Sequence, residues 1–136
     1  MTESASETRR AQGLLLDALK TPAKLPALLP ADWELLLRIA RRARLLGRLE
    51  SDLSLAGLLG DILPRAAAHL RAARNVIEHR KTLVSWEVNR ILWALKGIEG
   101  SLILLKGAGY LMAGLPPARG RIFADIDLLV PQERIG

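Results

Sequence analysis

The stretch LILLKGAGYLMAGLPPARGRIFADIDLLV, residues 102–130, differs in texture from the chain before it. It opens on a short apolar run, Leu102–Leu105, whose length fits a buried strand better than a helix. The small residues of KGAG then open a short helix through about Met112, and two prolines close it. After a loop, RIFADIDLLV (121–130) predicts a second strand. The stretch therefore predicts a strand, a helix and a strand in that order.

The second strand carries two carboxylates, Asp125 and Asp127. Because side chains alternate along a strand, both would point to one face, while Ile126, Leu128 and Val130 would point to the other. Like charges this close repel and resist desolvation, so the pair is tolerable when it is solvated, balanced by cations or neutralised by a metal ion. The residues themselves leave these three alternatives open. Of the three, only the binding of a metal ion would give the pair a function.

The chain before this stretch predicts helices. Residues before about Ser6 are expected to fray, and AQGLLLDALK (11–20) predicts a short first helix that ends at a proline-punctuated linker. Asp32 is expected to cap a second helix. The apolar stripe of this second helix is predicted to consist of Leu36, Ile39, Ala43 and Leu46.

Further along, LGRLESDLSLAGLLGD (46–61) contains three glycines and predicts a connection with a helical turn. Beyond Pro64, apolar residues recur every three or four positions up to Leu95, which predicts one long helix. The three tryptophans are interpreted as packing anchors: Trp33, Trp86 and Trp93. The predicted class is α+β, with a helical N-terminal region at 1–98 and a strand-helix-strand region at 99–136.

The composition favours a folded cytoplasmic protein. The chain has 136 residues, is half hydrophobic and contains no cysteine, which excludes disulfides, thiolate metal sites and cysteine nucleophiles. The first ten residues lack the features of a signal peptide, and no apolar stretch reaches the roughly 18 to 20 residues that span a bilayer. We therefore expect a cytoplasmic location and no membrane partner.

The formal net charge of +6 comes mostly from arginine and suggests affinity for phosphates. A solvated basic surface is the plainer alternative. With one Phe and one Tyr, the chain gives poor support to a base-stacking platform. Nucleic acid is accordingly only a weakly indicated partner.

The segment LKGAG lies at the predicted strand-to-helix junction, where small residues let backbone amides approach an anion such as phosphate. Lys106 adds a cation, although glycine there also has a purely steric explanation. The segment lacks the spacing and the Lys-Ser/Thr ending of a P-loop. Together with the two aspartates it would form a phosphate-binding turn beside a carboxylate pair, and such pairs bind Mg²⁺ when a triphosphate fills other coordination positions.

The whole stretch resembles the nucleotidyltransferases of the DNA polymerase beta superfamily, in particular a bacterial group with Leu-Lys-Gly, a short helix, an Arg and Asp-x-Asp-Leu-Leu-Val. The resemblance implies that Asp125 and Asp127 are catalytic and bind the metal ions, with Mg²⁺ as cofactor. It also implies that Lys106, Gly107 and Arg121 bind the nucleotide. The implied reaction transfers a nucleotidyl group from a nucleoside triphosphate to an acceptor that the sequence does not identify.

The chain departs from the superfamily in one respect, since a third carboxylate is expected on a later strand. Glu133 follows Asp127 too closely to supply it, so the chain is expected to be a truncated form with little transfer activity of its own. An open, apolar sheet edge is then expected to promote self-association. Two other interpretations stay open. One is a non-catalytic basic helical module that binds nucleic acid or a partner protein, with the aspartates solvated or paired to Arg119 and Arg121. The other is a nucleotide-binding remnant without turnover.

Overall fold

The computed structural model describes residues 2–98, 100–122 and 125–131. In these residues helices dominate, and two short strands form one antiparallel sheet, which confirms the α+β class. The helices are α1 (Thr2–Lys20), α2 (Pro30–Arg42), α3 (Leu46–Leu55), α4 (Pro64–Ala94) and α5 (Lys106–Met112), and the strands are β1 (Ile103–Leu105) and β2 (Asp127–Leu129). Short 3₁₀ helices occupy Pro22–Ala27 and Pro116–Ala118.

Contacts between residues divide the chain into two compact units, Met1–Asn75 and Val76–Gly136, and the boundary falls inside α4. This division is based on contacts between residues, whereas the boundary predicted near residue 99 is based on a change in the sequence pattern. The predicted regions 1–98 and 99–136 therefore stay a prediction.

The first unit has a leucine-rich core. Leu36 of α2, Leu49 and Leu53 of α3, and Leu70 of α4 are fully buried, and Trp33 of α2 is 2% exposed. Complete burial of a leucine side chain contributes roughly 1.5–3 kcal/mol relative to exposure. These side chains therefore account for much of the packing of three helices in this unit.

The first helix is longer than the sequence predicts. It begins at Thr2 rather than at Ala11, so it also includes the residues before Ser6 that were expected to fray. The added turns lie against α2, where Glu7 Oε1 accepts a hydrogen bond from Arg38 Nη1 at 3.1 Å. Local hydrophobic periodicity does not predict a polar helical segment that is held by an ion pair with a neighbouring helix.

The second helix begins at Pro30, so Asp32 lies in its first turn and does not cap it. Proline suits the first helical position because its missing N–H would have no partner there. Asp32 instead accepts a hydrogen bond from Arg10 of α1. The buried face is also different from the predicted stripe, since it consists of Trp33, Leu36, Leu37 and Ala40, and α2 ends before Ala43.

The segment predicted as a connection is the helix α3, of ten residues. Leu49 and Leu53 lie four residues apart on its buried face and are both completely buried. Gly47 is buried as well, inside the first turn. Glycine weakens a helix by about 1 kcal/mol relative to alanine, and the burial of two leucines outweighs that penalty.

The predicted long helix is confirmed as α4, which spans 31 residues. The interpretation of the tryptophans as packing anchors holds only for Trp33, because Trp86 and Trp93 are 64% and 78% exposed. At roughly 100° per residue, these two side chains lie opposite Val84 and Val88, which face the core of the second unit. The guanidinium of Arg90 lies 5.4 Å from the centre of the Trp86 ring.

The second unit is built on a small antiparallel sheet. Ile103 of β1 pairs with Leu129 of β2, and Leu105 pairs with Asp127. Ala108 of α5 is buried against the valines of α4, with half-buried apolar side chains of the sheet region around it. In the described ranges the sheet has only these two strands, and the predicted self-association through an open edge stays untested.

None of the helices in the described residues combines the length and the apolar character that crossing a bilayer requires.

Candidate active site at the β1–α5 turn

The turn from β1 into α5 is sharp and is centred on Lys106. Lys106 has a φ of 55°, in the left-handed region that residues other than glycine rarely occupy. Leu105 before it is extended, and α5 begins at Lys106 itself. The strand and the helix are therefore joined without an intervening loop, which holds the Lys106 side chain at the end of β1.

Gly109 has a steric role in this turn. A Cβ added to it would lie 2.7 Å from the carbonyl oxygen of Leu104, and real Cβ atoms do not approach backbone oxygens so closely. The glycine thus allows α5 to fold back over β1. From the sequence, the small residues of KGAG were expected to let backbone amides approach an anion. At Gly109, the group that lies close is instead the backbone carbonyl of Leu104 in β1.

The antiparallel register brings Lys106 to Asp127. Because Leu105 pairs with Asp127 across the sheet, the next residue lies beside the same carboxylate, and Lys106 Nζ is 3.1 Å from Asp127 Oδ2. The two side chains are 77% and 43% exposed. An ion pair this exposed contributes little to stability, about 0–1 kcal/mol, so its main effect is to place a cation and a carboxylate together.

Asp125 does not lie in the strand. β2 begins at Asp127, so the prediction of one strand over residues 121–130 is too long, and alternation along a strand does not apply to Asp125. Asp125 is exposed, two residues before Asp127 in the chain. The positions 123 and 124, at the predicted start of the strand, lie outside the described residues.

Arg121 lies in the loop between α5 and β2 and is exposed, as is Arg119. One alternative held that these arginines balance the aspartates. For Asp127 the structure supplies Lys106 as a cation. The predicted role of Arg121 in nucleotide binding stays a prediction, as does that of Gly107, which lies half-buried in the first turn of α5.

The donor set fits a magnesium ion that also takes oxygens from its substrate. In the part of the chain that the structure describes, no group of three or more acidic or histidine side chains is placed to hold a metal ion. Mg²⁺ is commonly bound by one or two carboxylates together with substrate phosphates and water. Asp125 and Asp127 match that pattern, and Glu133, where a third carboxylate was considered, lies outside the described residues.

Sequence reasoning found Lys106 and Asp127 separately but did not find their contact. A contact between residues 21 positions apart depends on which residue of β1 faces which residue of β2, and local patterns do not contain that register. The steric function of Gly109 was also missed. Two glycines around one alanine, immediately after a strand, were the signal for it.

Comparison with known proteins adds one finding. A family model described as an uncharacterised nucleotidyltransferase matches residues 30–136, from the start of α2 through the β1–α5 turn and β2. A search of curated proteins and a search of solved structures give no match.

Proposed function

The chain belongs to the uncharacterised nucleotidyltransferase family, and from that membership we propose that it binds a nucleoside triphosphate with Mg²⁺ at the β1–α5 turn. The reaction that this site serves is the transfer of a nucleotidyl group to an acceptor, as in the DNA polymerase beta superfamily. The observation that carries the proposal is the ion pair of 3.1 Å between Lys106 and Asp127, with Asp125 two residues away in sequence.

The acidic and the basic residues of the site have different roles. Asp125 and Asp127 offer oxygen ligands to the cation that accompanies the triphosphate. Lys106 supplies a point charge, and Arg121 a planar guanidinium, for the phosphate oxygens. Magnesium, when bound, supplies charge that stabilises the phosphates in the transition state and favours ionisation of the attacking hydroxyl.

The ion pair between Lys106 and Asp127 also suggests an order of events within the chain. Before the nucleotide arrives, the ammonium group and the carboxylate neutralise each other. A cation held by the Asp127 carboxylate would leave Lys106 without this partner, and the flexible lysine side chain would then be available to the phosphates. Exposure of both side chains allows this exchange, because a side chain at the surface turns without disturbing the core.

The first prediction tests the site directly. Isothermal calorimetry of the folded chain with each of the four common nucleoside triphosphates is expected to show binding that requires Mg²⁺ and is lost with EDTA. Asp127→Asn and Asp125→Asn should each weaken this binding at least tenfold, because an amide is a poorer ligand than a carboxylate for a hard cation. Asp17→Asn, at an exposed position on α1, is the matched control and should leave the affinity unchanged.

The proposal fails if the folded chain binds none of the four nucleotides in the presence of Mg²⁺. It also fails if both aspartate variants bind as tightly as the parent protein. Binding with the expected losses, but without transfer of label from an α-labelled nucleotide to any acceptor in a cell extract, would support the nucleotide-binding remnant.

A further inference from the structure

A pocket in the first unit shares no residue with the β1–α5 turn. It is a surface pocket of about 290 Å³ between one face of α2 and the first two turns of α4. Small-molecule sites have volumes from roughly 300 Å³ upward, so this pocket is at the lower limit of size for a small organic ligand. All of its lining residues belong to the unit Met1–Asn75.

The pocket is strongly basic. Arg38, Arg41 and Arg65 line it, with Glu34 as the acidic lining residue. Arg38 is paired with Glu7, whereas Arg41 and Arg65 form no ion pair with any described residue. Cations that line one concave surface raise the local concentration of anions.

One of the lining residues also carries a buried donor without an acceptor. Trp33 lines the pocket and is 2% exposed, and its indole Nε1–H has no hydrogen-bond partner among the described residues. An indole nitrogen can only donate. A buried donor without a partner costs about 1–3 kcal/mol, and an acceptor oxygen brought within hydrogen-bond distance of this nitrogen would remove that cost.

A third feature points in the same direction. α4 begins at Pro64, and Arg65 and Ala66 of its first turn line the pocket. The first N–H groups of a helix have no partner within the helix, and they carry the positive end of its dipole. The other lining side chains include Leu37 and Leu63, which offer an apolar surface beside the basic one.

From these features together we infer that the pocket binds a phosphate monoester carried on a small apolar or aromatic group. Two unpaired guanidinium groups and a helix N-terminus suit a dianion better than a monoanion, and a guanidinium matches the geometry of phosphate oxygens. The ring of Trp33 and the two leucines would contact the apolar part of the ligand. This inference does not depend on the function proposed for the β1–α5 turn.

Calorimetry with phenyl phosphate tests the inference, with phenol and benzoate as comparison ligands. Phenyl phosphate should bind with the highest affinity of the three, because phenol lacks the charge and benzoate carries only one. The variant Arg41→Ala, Arg65→Ala should weaken its binding at least tenfold. The matched control is Arg42→Ala, Arg71→Ala, which removes the same charge from the same two helices at positions that do not line the pocket.

Two further measurements localise the ligand. In ¹H–¹⁵N spectra, the indole N–H signal of Trp33, assigned by its absence in Trp33→Phe, should move on titration with phenyl phosphate. Lys106→Ala should leave the affinity for phenyl phosphate unchanged. The inference is overturned if the folded chain does not bind phenyl phosphate, if the control double variant loses as much affinity as the test variant, if Lys106→Ala abolishes binding, or if benzoate binds more tightly.

Discussion

Gly109 is the residue at which the sequence permits α5 to lie on β1. A methyl group in place of its hydrogen would meet the Leu104 carbonyl oxygen at 2.7 Å and the carbonyl carbon at 3.2 Å. Both are backbone atoms, so the helix itself would have to shift. We expect Gly109→Ala to lower the free energy of unfolding by about 1–3 kcal/mol, the range for overpacked positions, as measured by urea titration followed by circular dichroism.

Gly13 provides the matched control for this prediction. It lies inside α1, and nothing is within 4 Å of an added Cβ. Gly13→Ala should therefore raise the free energy of unfolding by about 0.5–1 kcal/mol through the better helix propensity of alanine. Equal effects of the two substitutions would contradict the steric role of Gly109.

Lys106 holds a left-handed conformation that favours glycine. At φ 55°, its Cβ costs roughly 1–2 kcal/mol relative to glycine. We expect Lys106→Gly to be about 1 kcal/mol more stable than Lys106→Ala, while both lose the same ammonium group and bind Mg²⁺ and nucleotide equally weakly. Thermal unfolding and calorimetry of the two variants check this pair of statements, and equal stability would show that the turn relaxes when the lysine is removed.

At the scale of elements, α3 and α4 are linked by a buried carboxylate. The side chain of Glu50 on α3 is 5% exposed, and its Oε1 lies 3.4 Å from Arg74 Nη1 on α4. We expect Arg74→Ala to lower the free energy of unfolding by about 1–3 kcal/mol, because the carboxylate is left buried without that partner. The additional change Glu50→Gln should recover part of the loss in the same urea titration.

The control for this prediction is Arg71→Ala, one turn earlier on α4 and exposed. Surface substitutions of this kind usually change stability by less than about 0.5 kcal/mol. If Arg71→Ala and Arg74→Ala have the same effect, the contact with Glu50 does not contribute to stability.

The elements also show which features a sequence can reveal. α4 and the two strands follow from periodicity and from short apolar runs, because their own residues decide them. α3 was missed because the glycines of the segment 46–61 argue against a helix, whereas the burial of Leu49 and Leu53 favours one. The contact of Lys106 with Asp127 was missed for a similar reason, since it depends on the register between two strands.

At the scale of the whole molecule, the charge of +6 predicts weak binding to nucleic acid without sequence preference. Each phosphate that a protein neutralises releases counterions, so the affinity should fall steeply as salt rises. A gel-shift series with a single-stranded oligonucleotide checks this over roughly 50 to 200 mM salt, the range in which such binding weakens. Tight, sequence-selective binding at the upper end would favour the basic nucleic-acid-binding module instead.

The contrast between one buried indole and two exposed ones has an optical consequence. Trp33 belongs to the first unit, and Trp86 and Trp93 belong to the second. A shielded indole emits at shorter wavelength than one in contact with water, so the blue side of the emission reports on the first unit and the red side on the second. Iodide, an anion, should quench the red side preferentially, because both of its emitters are exposed and Arg90 lies over one of them. Each of the two units thus carries indole fluorophores of its own.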